Sequence, residues 1–238
     1  MLNPNQNNFD STVIRPSARG KFVYLGEQKL YLRGVTYGPF HSIDGSEGFA
    51  TPEHVERDFR AMAAAGINSI RTYTVPPLWV LDCAKRHGIW VLVGLPWEQH
   101  VAFLSPRECR QRIQESVRQG VRACAGHPAL LGFAVGNEIP APIVRWHGHQ
   151  LVEKFIRYLC RIVKREDPGA LVTYVNYPST EYLELPFVDL FCFNIYLENP
   201  AKFEAYIARV QNLAGECIAA QRRIHHVLCC NIPWSSAS

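Results

Sequence analysis

Long apolar runs are missing from this sequence. No stretch approaches the roughly 20 apolar residues that a membrane helix needs, so no such helix is expected. Lysine- and arginine-rich blocks are missing too, and the formal net charge is only +4. Nucleic acid, whose phosphates call for a basic patch, is therefore not an expected partner. The eight cysteines (83, 109, 124, 160, 192, 217, 229 and 230) include no CxxC pair. That spacing gives zinc no support and reads as reduced thiols in a cytoplasmic protein. The opening residues, MLNPNQNNFD, have no apolar core, so no secretory signal is expected.

The remaining composition is that of a folded protein. Of 238 residues, 47% are hydrophobic and 19% charged, enough for one large domain with a sizeable core. Residues 1–20 read as a flexible lead-in. KFVYLGEQKLYLRGVTY then reads as a hairpin turning at Gly26, with Leu30–Tyr37 as the first long strand. TPEHVERDFRAMAAAG reads as a helix capped by Thr51, started by Pro52 and ended by Gly66, with Val55, Phe59 and Met62 on its buried face. INSIRTYTV is a strand, PLWVLDCAKRHG a helix and IWVLVGLPW a strand. SPRECRQRIQESVRQGVRACAG is a helix with a capping box from Ser105 to Glu108. The strand 130–137, the helix 149–166, the strands LVTYVNY and FVDLFCFNIY, and a helix capped by Asn199 complete the pattern.

Strand and helix alternate, and the strands are apolar on both faces. That implies a parallel sheet wrapped by helices, either a (β/α)8 barrel or an open doubly wound sheet. The open sheet calls for a Gly-rich phosphate turn after its first strand. RGVTYGPFHSIDGSEG has no G-x-G-x-x-G, and no cofactor is called for. Polar residues instead mark the ends of many strands: Tyr37, Arg71, Trp97, Asn137-Glu138, Asn176 and Tyr196. Functional groups spread over many strand ends favour the TIM barrel.

GFAVGNEIP, residues 132–140, ends a buried strand on an amide and a carboxylate. Such a pair is either structural or catalytic. RGVTYGPF, SIRTY, GLPWEQH, GNEIP and FNIY, at strands one, two, three, four and six, together resemble the retaining glycoside hydrolases of clan A. Within that clan the likeness is to the catalytic domain of family 2, the β-galactosidase and β-glucuronidase group, over about residues 21 to 214. Similar barrels also occur fused to glycosyltransferases in bacterial polysaccharide enzymes. The resemblance implies a carbohydrate substrate, with Glu138 as acid/base and Asn137 donating to the sugar 2-hydroxyl. It further implies that Arg71 and Tyr196 hold a nucleophilic carboxylate, while Tyr37, Trp97 and Trp146 offer ring faces to a pyranose. Asn176 and His100 join the substrate-binding set. The acid/base role calls for a pKa raised towards neutrality. A lysine-dependent barrel enzyme such as an aldolase is a poorer reading, because Lys21, Lys29, Lys85, Lys154, Lys164 and Lys202 avoid the strand ends. His147 with His149, and His225-His226, read as surface residues rather than metal ligands.

The pattern breaks near its end. The family's nucleophile is a glutamate at the end of strand seven, yet no residue after Glu216 is acidic. Glu198 follows strand six, on the correct face but the wrong strand. IHHVLCC makes a poor seventh strand, and the tail gathers three of the eight cysteines. The expected organisation is a lead-in over 1–20, an incomplete barrel of six to seven βα units over 21–215, and an atypical tail over 216–238. The expected function is that of a glycosidase by descent whose C-terminal part is truncated and whose activity is doubtful. The rival is a non-catalytic carbohydrate-binding barrel or a domain of a polysaccharide-synthesising fusion.

Overall fold

A computed structural model of the chain describes residues 14–20, 22–40, 48–219 and 227–229. An antiparallel sheet comes first: β1 (Pro16–Arg19), β2 (Phe22–Leu25) and β3 (Gln28–Leu30), in the order β1-β2-β3. The hairpin at Gly26 is present, and its φ of +60° explains the glycine. Two expectations shift here. The segment 14–20 is ordered: Pro16–Arg19 pairs with β2, and the Arg15 guanidinium grips Asp167 at 2.5 and 2.9 Å. The expected long strand Leu30–Tyr37 divides, because Arg33 turns aside to bond Asn68 and Gly66, leaving β4 only Gly34–Thr36.

From β4 onward the chain alternates: α1 (Pro52–Ala64), β5 (Ser69–Thr72), α2 (Leu78–Arg86), β6 (Trp90–Gly94), α3 (Arg107–Cys124), β7 (Leu130–Asn137), α4 (Ala141–His147), α5 (His149–Glu166), β8 (Leu171–Asn176), β9 (Leu190–Phe193), α6 (Pro200–Ala219) and β10 (Val227–Cys229). Among the described residues, β4 to β10 form one parallel sheet in strict chain order. Every neighbour in the sheet is a neighbour in sequence. A doubly wound sheet would reverse its order at a switch point, so the topology is that of a barrel wall. Val227–Cys229 supplies the seventh parallel strand, within the IHHVLCC segment. His225, His226 and most of the tail lie outside the described residues.

Side-chain alternation fills the two faces of the sheet. Val91, Val93, Phe133, Val135, Val172 and Tyr174 face the helices, joined by Val55 and Phe59 of α1, Val117 and Val121 of α3, and Ile156 and Leu159 of α5. Leu92, Leu131, Ala134, Leu171, Val175 and Leu190 pack on the other face, where Val23 of the N-terminal sheet joins them. Gly132 lets β7 and β8 approach: a Cβ there would stand 2.3 Å from the Leu171 carbonyl oxygen.

Helix ends follow the sequence unevenly. Asn199 caps α6, accepting the Lys202 N–H at 3.1 Å. Thr51 sits at the N-cap of α1, but its hydroxyl meets His54 Nδ1 instead of a backbone N–H. The Ser105–Glu108 capping box is absent, since α3 starts later, at Arg107, with Pro106 as its N-cap.

Candidate active site

The last turn of β7 sets the geometry. Its pairing with β8 shifts register between Ala134 and Asn137, a bulge in the strand. Glu138 follows with φ 50°, the single positive φ of any described residue other than glycine. Such backbone costs of order 1 kcal/mol or more and collects at functional sites. Three bonds hold it there. The Glu138 N–H donates to the Val175 carbonyl (2.9 Å), the Asn137 N–H to Gln99 Oε1 (2.9 Å), and the Ile139 N–H to the buried Tyr174 hydroxyl (2.8 Å).

Asn194, just past β9 and fully buried, is the hub of the side chains. Its Nδ2 donates to Asn137 Oδ1 (3.0 Å) and to Glu138 Oε1 (2.6 Å), and its Oδ1 accepts from Arg71 Nη1 (3.1 Å). Arg71 Nη2 donates to Asn137 Oδ1 at 2.6 Å, and the guanidinium lies over the Tyr73 ring at 4.8 Å. Tyr196, half exposed, donates its hydroxyl to Glu138 Oε1 at 2.9 Å. Strands β5, β7 and β9 thus bring Arg71, Asn137, Glu138 and Tyr196 together at one end of the sheet.

Two contacts differ from the expected ones. Arg71 and Tyr196 were expected on a nucleophilic carboxylate. Arg71 instead meets two amide oxygens, its Nε is buried without a partner, and no described carboxylate pairs with it. Tyr196 meets Glu138 itself. The Asn137 amide is likewise committed at its oxygen, Oδ1 receiving both Arg71 and Asn194.

The residues expected to bind sugar stand in different surroundings. Tyr37 is 4% exposed; its hydroxyl donates to Asp58 Oδ2 on α1 and its ring packs edge-on against Phe40 and Phe59. Burial first, and the Asp58 carboxylate second, push its pKa up. No ring face is left for a sugar, so this residue belongs to the core. Asn176 is engaged locally, donating to the Thr180 carbonyl and accepting from Thr180 Oγ1 and the Tyr177 N–H. Trp97 lies beside β7: its Nε1 donates to the Val135 carbonyl and its edges meet Phe103 and Phe155. His100 is exposed in the turn after β6. Trp146 stands 74% exposed on α4. His147 is part-buried beside Phe103, and its Nε2 accepts the Leu104 N–H; burial lowers its pKa. His149 is exposed and faces Glu153.

Asn194 and Gln99 are functional candidates that sequence reasoning passed over. Asn194 lies inside FNIY, a motif already singled out for its tyrosine, and Gln99 inside GLPWEQH. Each is an amide following an apolar strand, the same signal that marked Asn137.

Residues 17–219 match the family described as Glycosyl hydrolases family 2, TIM barrel domain. The chain is similar to the 1,3-beta-glucanosyltransferase gel1 of Aspergillus fumigatus, 26% identical over 135 residues, which is 52% of this chain and 28% of that protein. Among solved structures it resembles the β-glucuronidase of Parabacteroides merdae, with TM-score 0.68, 19% identity, and 89% of this chain covering 26% of that one. It also resembles a family 2 β-galacturonidase from Eisenbergiella tayi, with TM-score 0.69, 18% identity, and coverage of 90% and 38%. At such identities the structural likeness speaks for the fold alone. The chain spans about a quarter of the length of the first of these relatives.

Proposed function

This chain belongs to the glycosyl hydrolase family 2 TIM-barrel family, and from that membership we propose that its strand-end cluster binds a β-linked sugar with Glu138 as the proton-transferring group. The observation that carries this reading is the convergence of Asn137, Glu138 and Tyr196 on the Asn194–Arg71 pair. Family membership supports glycosidase-like chemistry; the sugar, the linkage and the role of each residue are the proposal. A β-linked sugar agrees with the names of the relatives, a β-glucuronidase, a β-galacturonidase and a 1,3-beta-glucanosyltransferase.

Retaining cleavage uses two carboxyl groups about 5–5.5 Å apart. In the first step the Glu138 proton passes to the glycosidic oxygen, the bond from that oxygen to the anomeric carbon breaks, and the second carboxylate bonds to that carbon. Glu138, now a carboxylate, then takes a proton from water as the water oxygen bonds to the anomeric carbon and the bond from that carbon to the second carboxylate breaks, which releases the sugar. Tyr196 and Asn194 both donate to Oε1. That fixes the carboxyl plane and leaves Oε2 without a hydrogen bond from a described residue. Oε2 is the oxygen suited to the proton transfer.

A second reading is favoured by one observation. Residues 217–238 contain no aspartate or glutamate, so β10 itself carries no carboxylate. In that reading the barrel binds carbohydrate without cleaving it. Both are tested with a panel of aryl β-glycosides, using the full chain and Glu138→Gln, with circular dichroism to verify folding. Turnover by the parent chain that Glu138→Gln abolishes supports the first reading. Equal turnover in both overturns Glu138 as the proton-transferring group. Sugar binding without turnover, measured by titration calorimetry, establishes the second.

A further inference from the structure

Away from the strand-end cluster, on the outer helical layer, three side chains of different chemistry converge. Cys83 lies on α2, and His87 follows it by one turn at the C-cap of that helix. Glu56 reaches across from the first turns of α1. Their ligand atoms, one thiol sulfur, one imidazole nitrogen and one carboxylate oxygen, all lie within 4.8 Å of one another. Cys83 Sγ donates to Glu56 Oε2 at 3.3 Å, and His87 Nε2 meets Glu56 Oε1 at 2.8 Å. Arg86 also donates to Oε2 (2.7 Å) and Arg60 to Oε1 (3.4 Å).

We propose that Glu56, Cys83 and His87 form a binding site for a zinc-like divalent ion, with water as the fourth ligand. The donor set selects the metal. Sulfur and imidazole suit Zn2+ and its spectroscopic stand-in Co2+, and are poor ligands for Mg2+ and Ca2+, which want oxygen. A separation of i and i+4 on one helix places two ligands on one face, so α2 supplies a ready pair and α1 the third. Exposure fits an open coordination position: Cys83 is buried, while the Glu56 and His87 side chains are 32% and 16% exposed.

Binding rearranges the present contacts without new chemistry. Cys83 gives up its proton to solvent and bonds the metal as thiolate. His87 turns its Nε2 lone pair from Glu56 to the ion. Glu56 turns one oxygen to the ion and keeps Arg86 on the other, where the guanidinium becomes an outer partner of the ligand. Arg86 first, then His87 and Cys83, already hold the Glu56 carboxyl down to about 2, so it is ionised and ready at neutral pH. Burial first, then the Glu56 carboxylate, push the Cys83 thiol up to about 11. The ion must therefore displace that proton, and affinity rises with pH.

The test is Co2+ titration of the reduced full chain, followed by its thiolate-to-metal charge-transfer absorption and by competition with Zn2+ and Mg2+. The tail carries Cys229, Cys230, His225 and His226, so a Cys229→Ser/Cys230→Ser variant is titrated beside His87→Gln, Glu56→Gln and Cys83→Ser. The expected result is a band of one Co2+ per chain, abolished by Zn2+ and untouched by Mg2+. The tail variant keeps it, Cys83→Ser loses it, and affinity in His87→Gln and Glu56→Gln falls by more than the ~10–100-fold that changes to outer partners alone produce. His87→Gln and Glu56→Gln replace partly exposed groups and so report on binding even if Cys83→Ser misfolds. The proposal is overturned if no band forms, if the band survives in His87→Gln and Glu56→Gln at parental affinity, or if only the tail variant removes it.

Discussion

Replacing Tyr174 with phenylalanine should loosen the backbone that carries Glu138. The Tyr174 ring is 2% exposed, and its hydroxyl accepts the N–H of Ile139, itself fully buried, at 2.8 Å. Phenylalanine keeps the ring and its packing against Gly136, where an added Cβ would come within 3.1 Å of it. What is lost is one acceptor, leaving a buried backbone N–H with neither protein partner nor water. That costs about 1–3 kcal/mol. For a domain of roughly 150–250 residues each kcal/mol moves Tm by about 2–4 °C, so a loss near 2 kcal/mol lowers Tm by about 4–8 °C. Burial pushes the Tyr174 hydroxyl far above the ordinary tyrosine range, so it stays protonated and the difference should be the same at pH 6 and pH 9. Differential scanning calorimetry of both proteins at the two pH values measures it. A loss below about 0.5 kcal/mol would refute the reasoning, because it would mean that Ile139 finds another acceptor at no cost.

Two further outcomes follow from the sheet and its N-terminal tether. Gly132→Ala puts a methyl group 2.3 Å from the Leu171 carbonyl oxygen, backbone against backbone, so β7 and β8 must separate; Gly66→Ala, with open space but φ +77°, should cost only about 1–2 kcal/mol. Soluble yield and urea unfolding should rank the parent first, Gly66→Ala next and Gly132→Ala last, and a normal Gly132→Ala would contradict the close approach of the strands. Burial raises the Asp167 carboxyl, but the Arg15 guanidinium and the Gly126 N–H outweigh it and hold the pKa below the ordinary 3.8. This stabilisation is therefore complete above about pH 4 and disappears as pH falls through the depressed folded-state value. Asp167→Asn should cost about 3 kcal/mol at pH 7 and flatten the acid limb of the stability curve, measured by urea unfolding from pH 7 to pH 2. Parallel acid limbs would show that the pair contributes nothing.

Regular elements were legible where periodicity is strong. The strand 130–137 and the helix 149–166 have the bounds that their apolar patterns indicate. Strand β1 was hidden because PSAR has no alternation and depends on pairing with β2. Ser105 and Thr51 carry the right chemistry for capping, but Pro106 delays one helix and His54 captures the hydroxyl at the other. At the strand ends the sequence identified residue types and not their partners. Tyr37 and Asn176 look equally free in a sequence, yet one is turned under α1 and the other is consumed by its own loop. Asn194 shows the reverse: a buried amide that three strands use in common is recognisable only once they are side by side.

The irregular end of β7 has a consequence for how this segment tolerates change. Neighbouring residues of a regular strand point to opposite faces, so Asn137 and Glu138 would ordinarily look away from each other. The register shift after Ala134 and the left-handed turn at Glu138 bring both onto the one amide of Asn194. Here the spacing itself carries the geometry. A substitution between 134 and 138 alters one side chain, whereas inserting or deleting a single residue sends the amide to one side of the sheet and the carboxylate to the other. Length variation should therefore be damaging in this stretch, the opposite of what surface loops permit.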